Sequence, residues 1–144
     1  MMMDNRRYVP GMGPIGAKLA FVGEAPFTEE VVSGRPFDGP AGRELDKLCR
    51  KAGIKRGDCW VTKVVKHMIP LSDETGKRIP LKTRCEMVGI NLEEQLNNLR
   101  TEINELNPNV VVALGGSALW ALTGHSKITD YRGSILWAFG RKVI

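Results

Sequence analysis

The sequence predicts an α/β fold, a three-layer α/β/α sandwich around a short, mainly parallel four-stranded sheet. Short apolar runs alternate with segments of helical period, which implies parallel pairing through right-handed crossovers. The run Val110, Val111, Val112, Ala113, Leu114 lacks alternation, as expected of a strand buried on both faces. The run Leu19, Ala20, Phe21, Val22 passes directly into Gly23-Glu24-Ala25-Pro26, which puts a carboxylate at the carboxyl edge of the sheet, where open α/β folds bind ligands.

The first strand is expected over residues 18–22. Residues 40–52 follow as a helix, because Ala41, Leu45, Leu48 and Ala52 share one face. Residues 59–65 are short and β-branched, and Met68-Ile69-Pro70 forms their exit, so they read as the second strand with an exposed loop over 72–78. A single helix is expected over 82–106, from Met87, Ile90, Leu92, Leu96, Leu99, Ile103 and Leu106, ended by Asn107-Pro108. Residues 109–114 form the third strand, and Gly115-Gly116-Ser117 opens a helix through Leu122. The segment from Tyr131 to Ser134, then 135–139 and 141–144, reads as a hairpin whose last arm is the fourth strand.

The chain has 144 residues, 42% of them hydrophobic, enough for one domain over 1–144 with a real core and too few to expect two. A net charge of +5 and a pI near 9.3 favour a polyanionic partner, although the basic residues cluster only at Arg50-Lys51, Lys55-Arg56 and Lys77-Arg78. Cys49, Cys59 and Cys85 include no CxxC pair, and neither a signal-like N-terminus nor a run of about 20 apolar residues is present. A reduced, cytoplasmic protein without a membrane role is expected. No GxGxxG or Walker sequence follows any strand, which disfavours an ordinary nucleotide-binding domain.

The segment from Gly23 to Gly42 reads GEAPFTEEVVSGRPFDGPAG. Its second half holds Phe37 among glycines that permit unusual torsions and prolines that restrict φ. Such a loop is expected to turn Phe37 outward as a stacking platform, the alternative being a core residue that anchors the loop. The Gly115-Gly116-Ser117 turn at a helix start suits a phosphate, the alternative being packing.

This segment resembles the motifs of the uracil-DNA glycosylase superfamily, particularly its iron–sulfur-bearing members and the glycosylase-like domain at the front of some phage DNA polymerases. Gly23, Glu24, Ala25 and Pro26 match the first motif, and Glu30, Gly34, Pro36, Phe37, Gly39, Ala41 and Gly42 fall in register with the second. Phe27 stands where the pattern has glycine. The resemblance extends from Val9-Pro10-Gly11 through Val-Ala-Leu-Gly to Gly140-Arg141-Lys142-Val143.

The resemblance implies hydrolysis of the N-glycosidic bond of uracil, or another damaged base, in DNA, with the nucleotide flipped into a pocket. Glu24 then takes the place of the acidic residue that positions water or stabilises the sugar cation, the alternative being a glutamate that braces the turn. Phe37 takes that of the stacking aromatic, with Gly23, Ala25 and Pro26 beside the base and Gly39, Gly42, Gly115, Gly116 and Ser117 near the DNA backbone. The base-reading asparagine corresponds to Lys63 in Thr62-Lys63-Val64-Val65-Lys66. Lysine donates only and cannot accept the N3 proton of uracil.

The family's His-Pro motif is expected just after the fourth strand, beyond Ile144, so the domain is expected to be C-terminally incomplete and weak or inert in hydrolysis. Its four cluster cysteines are not matched. Residues 5–16 contain none, the third falls at His67 and the fourth near Val88, three residues from Cys85. No iron–sulfur cluster and no other metal or cofactor is expected.

The partners implied are DNA, single-stranded or uracil-containing, and a DNA polymerase, in the cytoplasm of a bacterial or phage-infected cell. The competing expectation is a non-catalytic single-stranded DNA-binding module beside such a polymerase, with Phe37, Lys63 and the 115–117 turn as its contacts.

Overall fold

The computed structural model describes residues 8–72, 74–125 and 134–144; the start of the expected hairpin at 131–133 lies outside them. Five strands form one sheet in the order β2-β1-β3-β5-β4. They are β1 (Leu19–Gly23), β2 (Trp60–Lys63), β3 (Val110–Ala113), β4 (Leu136–Ala138) and β5 (Arg141–Val143). β1 pairs in parallel with β2 and β3, and β3 with β5, while β4 is antiparallel to β5. The fold class is the expected one, but among the described residues the sheet has five strands, not four. Both arms of the hairpin join it, because Leu136, Trp137 and Ala138 pair with Val143, Lys142 and Arg141.

Strand alternation divides the core. Phe21 and Val61 pack on one face with Leu45 and Cys49 of α2 (Pro40–Ala52). Ala20, Val22, Val111 and Val143 pack on the other with Leu99 and Ile103 of α4 (Leu92–Leu106) and Ala118 and Leu122 of α5 (Gly116–Thr123). The described residues also include two short α-helices, α1 (Thr28–Ser33) inside the loop after β1 and α3 (Leu81–Glu86) before α4.

The α2 boundaries follow local chemistry. Pro40 begins the helix, whose first amide would lack a partner anyway, and Gly53 ends it at φ 71°. The single helix expected over 82–106 is broken instead. Gly89 takes φ 76°, and Asn91 caps α4 by accepting a hydrogen bond from the Glu94 amide at 3.0 Å. The apolar spacing runs on through Ile90 and hides this break.

Beyond β2, Met12 and Val61 exchange backbone hydrogen bonds of 2.9 and 2.8 Å, so the segment from Tyr8 covers the sheet edge there. Among the described residues no helix is long and apolar enough to cross a membrane.

Gly42 has a steric reason that no pattern displays. A Cβ there would lie 1.7 Å from the Phe37 carbonyl oxygen, whereas one at Gly57 would meet nothing within 4 Å. Gly42→Ala is therefore expected to cost at least about 2 kcal/mol in urea denaturation, as backbone must move, and Gly57→Ala to stay within about 0.5 kcal/mol of the parent.

Candidate active site

β1 is flanked by β2 on one side and β3 on the other, so the chain reverses its direction across the sheet beside β1. Ligands of open α/β sheets bind at such a switch, outside the carboxyl ends of the strands. A cavity of about 590 Å³ lies there. Glu24 and Ala25 reach it from the end of β1, Lys63 from the end of β2, and Gly115, Gly116 and Ser117 from the turn after β3.

Glu24 is held by three donors. Arg84, itself buried, grips both carboxylate oxygens, at 2.7 and 2.9 Å. Arg78 reaches Oε2 at 3.0 Å, and the Ser117 hydroxyl donates to the same oxygen. Burial alone would raise the Glu24 carboxyl, but the bonds from Arg84 and Ser117 and the charges of both arginines outweigh it and hold the pKa at about 2. Glu24 is thus ionised throughout the physiological range and a poor proton acceptor. Its remaining capacity lies chiefly on Oε1, which has a single partner among the described residues.

The second cluster centres on Glu30 of α1, 1% exposed. One oxygen accepts the Phe27 amide at 3.0 Å and the other the Phe37 amide. Lys63 Nζ stands 3.3 Å from Glu30 Oε1 and 3.9 Å from the centroid of the Phe37 ring. Burial pushes the Lys63 amine down, and Glu30 opposes the shift. A cation over an aromatic face beside a buried carboxylate is a stable, desolvated arrangement.

Phe37 does not project outward as expected. It is 3% exposed and belongs to the smaller core cluster. Its φ of 59° turns the chain back, and the Arg56 guanidinium donates to the carbonyls of Pro36, Phe37 and Gly42. The loop is clamped rather than splayed, although Phe37 still contributes to the cavity wall. Gly23 makes room for this packing, since a Cβ there would lie 2.7 Å from Phe37 Cζ and 3.2 Å from Lys63 Nζ.

Of the other residues singled out from sequence, Pro26, Gly39 and Gly42 are buried but do not line the cavity. The 115–117 turn does line it, with Gly115 at φ 102°. The start of α5 already faces a carboxylate, because Ser117 engages Glu24. Sequence reasoning missed Arg84, Arg78, Arg56 and the bonding of Glu30. Their partners lie up to 60 residues away in the chain, and only Glu30, at the third position of a helix, carries a local signal.

The residues described do not fit an iron–sulfur cluster. Cys49 and Cys59 sit in the core on the α2 face and Cys85 in the core on the other. Burial raises all three thiols, Cys85 to about 11. His67 has a buried Nδ1 without a hydrogen-bond partner among the described residues and a tilted ring contact with Tyr8. Among the described residues no three of His, Cys, Asp or Glu gather as a metal site.

Comparison with known proteins adds a lineage to this geometry. The model of the uracil DNA glycosylase superfamily matches residues 10–143. The Type-4 uracil-DNA glycosylase of Thermotoga maritima is 37% identical over 145 residues, covering 99% of this chain and 69% of that protein. That of Archaeoglobus fulgidus is 38% identical over 108 residues, covering 75% of this chain and 48% of the relative. A DNA polymerase of Bacillus phage SP01 is 27% identical over 139 residues, which span 96% of this chain and 14% of the polymerase. The chain thus spans from about half to about two thirds of these two glycosylases and a small part of the polymerase.

Two outcomes follow from the buried charges. Lys63→Met leaves Glu30 without its cation and is expected to cost about 3–5 kcal/mol in chemical denaturation, with part of that recovered when Glu30→Gln is added. Because the Glu24 carboxyl is depressed to about 2, its contribution to stability is complete above the unfolded value near 4.5 and is lost as pH falls toward 2. Acid titration of unfolding should show this loss in the parent and not in Glu24→Gln/Arg84→Met.

Proposed function

The chain belongs to the uracil-DNA glycosylase superfamily, and from that membership we propose that its cavity takes a flipped nucleobase and hydrolyses the N-glycosidic bond of uracil in DNA, slowly. The observation that carries this is the convergence of Glu24, Lys63 and the 115–117 turn on one cavity at the carboxyl edge of β1, β2 and β3. In the reaction the C1′–N1 bond breaks, the sugar gains cationic character and the base leaves as an anion. Water then adds to C1′, and the proton it gives up passes through solvent to the departed base anion, leaving neutral uracil and a C1′ hydroxyl.

Each charge has a counterpart in the cavity wall. Glu24, fixed in its ionised form, stabilises the developing sugar cation and orients water through Oε1 without taking the proton in the rate-limiting step. Lys63 offers a donor to an oxygen of the departing base. Ala25 and Phe37 supply apolar wall against the ring. No step is routed through an iron–sulfur cluster, because Cys49 and Cys59 lie on one face of the sheet and Cys85 on the other.

Slowness follows from the same contacts. Lys63 is committed to Glu30 and cannot accept the N3 proton of uracil, and Glu24 Oε2 is engaged by Arg78, Arg84 and Ser117. Loss of one well-placed electrostatic donor commonly costs about 10²–10³ in rate. This engagement of Glu24 favours a second reading, a module that holds single-stranded DNA without cutting it. The likeness to a phage DNA polymerase supports action beside a polymerase, in the cytoplasm of a bacterial or phage-infected cell.

The test is accumulation of alkali-labile sites in a uracil-bearing single-stranded oligonucleotide under excess protein. Slow accumulation, abolished in Glu24→Ala, is the expected result; none over many hours would overturn the glycosylase reading and leave a binding or incomplete domain. Lys63→Asn together with Glu30→Gln, which avoids an orphaned carboxylate, is expected to raise the rate; an unchanged rate would remove Lys63 from base recognition.

A further inference from the structure

Resting on the reading of the cavity as a nucleobase site, we propose that Phe27 and Leu71 form a second, outer stacking surface at its mouth. An unpaired base next to the flipped nucleotide occupies it, so that single-stranded DNA is preferred over duplex.

Two aromatic rings line the cavity, Phe27 and Phe37. Phe37 is 3% exposed and has Lys63 Nζ over its ring, so it has little free face to offer. Phe27 is 40% exposed. Its backbone is held at the start of α1 by the bond from its amide to Glu30 Oε2, which presents the ring from a fixed point. Leu71, 52% exposed, lines the same cavity from the loop after β2.

The cavity lining combines Glu24, Lys63 and Ser117, which are intermediate or buried, with buried Ala25 and Leu45, and its exposed residues include Phe27, Leu48 and Leu71 as well as Glu44. A mostly apolar pocket with a few placed polar groups marks a ligand site rather than ordinary surface. Arg78 lines the cavity as well; it is paired with Glu24, yet 72% of its side chain is exposed, which leaves guanidinium donors open beside Phe27 and Leu71. Flat apolar surface next to exposed positive charge suits consecutive nucleotides, whose bases stack while their phosphates meet the cation.

The cavity volume of about 590 Å³ lies in the range that encloses drug-sized ligands, more than one pyrimidine ring requires. Strand preference follows. In a duplex the neighbouring base is paired and stacked, and freeing it costs a few kcal/mol, a cost that is absent in a single strand.

The experiment is equilibrium binding, by fluorescence anisotropy, of a labelled single-stranded oligonucleotide with one uracil flanked by thymines. Parallel probes carry abasic spacers at the flanks, a spacer in place of uracil, or a complementary strand. Phe27→Ala is expected to weaken binding of the flanked single strand by roughly 5- to 150-fold, the loss of one stacked base, and to change duplex binding little. On the probe with spacer flanks the parent should already bind weakly and Phe27→Ala should add nothing. Phe27→Trp should keep the affinity and show indole quenching, relative to the parent spectrum, by flanking thymines but not by spacers.

Equal binding of the flanked single strand by parent and Phe27→Ala, or an equal loss on spacer flanks, would overturn the outer surface. A parent that binds uracil and central-spacer probes alike would instead overturn the cavity as a base site, and this inference with it.

Discussion

Both oxygens of one buried carboxylate, Glu30, tie together the two halves of the loop that shapes the cavity. One takes the amide of Phe27 ahead of α1, and the other takes the amide of Phe37 and faces the Lys63 ammonium at the end of β2. Without this anchor the amides of Phe27 and Phe37, on either side of α1, would need other acceptors. With it, Phe37 is drawn under Gly23, the chain turns at positive φ, and α2 starts close enough that only glycine fits at position 42. The position of Lys63, and hence the chemistry of the cavity floor, depends on the same carboxylate.

Two other carboxylates are used in the same way. Glu24 joins β1 to α3 and α5 through Arg84 and Ser117. Glu102 of α4 accepts from Trp60 and Thr62 of β2 and pairs with Lys66 at 2.9 Å. Each satisfied network fixes one element against another, and each becomes a liability when one partner is removed. Glu24 differs in that it also faces the cavity. Its bonds to arginine keep it charged and in place, which suits electrostatic stabilisation of a cation and works against proton transfer. The same contacts thus connect the stability of the loop region with the slow chemistry proposed for it.

Much of the sheet was legible because its signals are local. The unbroken apolar run at Val110–Ala113 and the helical spacing of Pro40–Ala52 each declare themselves within a few residues, although α2 buries Gly42, Leu45 and Cys49 and leaves the expected Ala41, Leu48 and Ala52 exposed. The short α1 was missed because its six residues lie inside a loop already read as the site. The break between α3 and α4 was missed because Ile90 and Leu92 continue the apolar spacing across Gly89. Phe37 was misplaced for an instructive reason. Glycines and prolines on either side of an aromatic residue fit an exposed tip and an inward turn equally well, and Glu30 and Arg56, seven and nineteen residues away, decide between them. Glu24 was recognisable as a site residue from its place at a strand end. Its partners Arg78 and Arg84 were not, since neither an exposed loop arginine nor a buried helical one carries a mark of what it binds.

The central claim is that the carboxyl edge of β1, β2 and β3 encloses a nucleobase. Amide chemical shifts recorded while the protein is titrated with an oligonucleotide bearing one hydrolysis-resistant, 2′-fluorinated deoxyuridine test it most directly. Saturable shifts are expected at Gly23, Ala25, Lys63, Gly115 and Gly116, absent when the uracil is replaced by an abasic spacer. Shifts confined to other faces of the molecule, or identical for uracil and spacer, would contradict it.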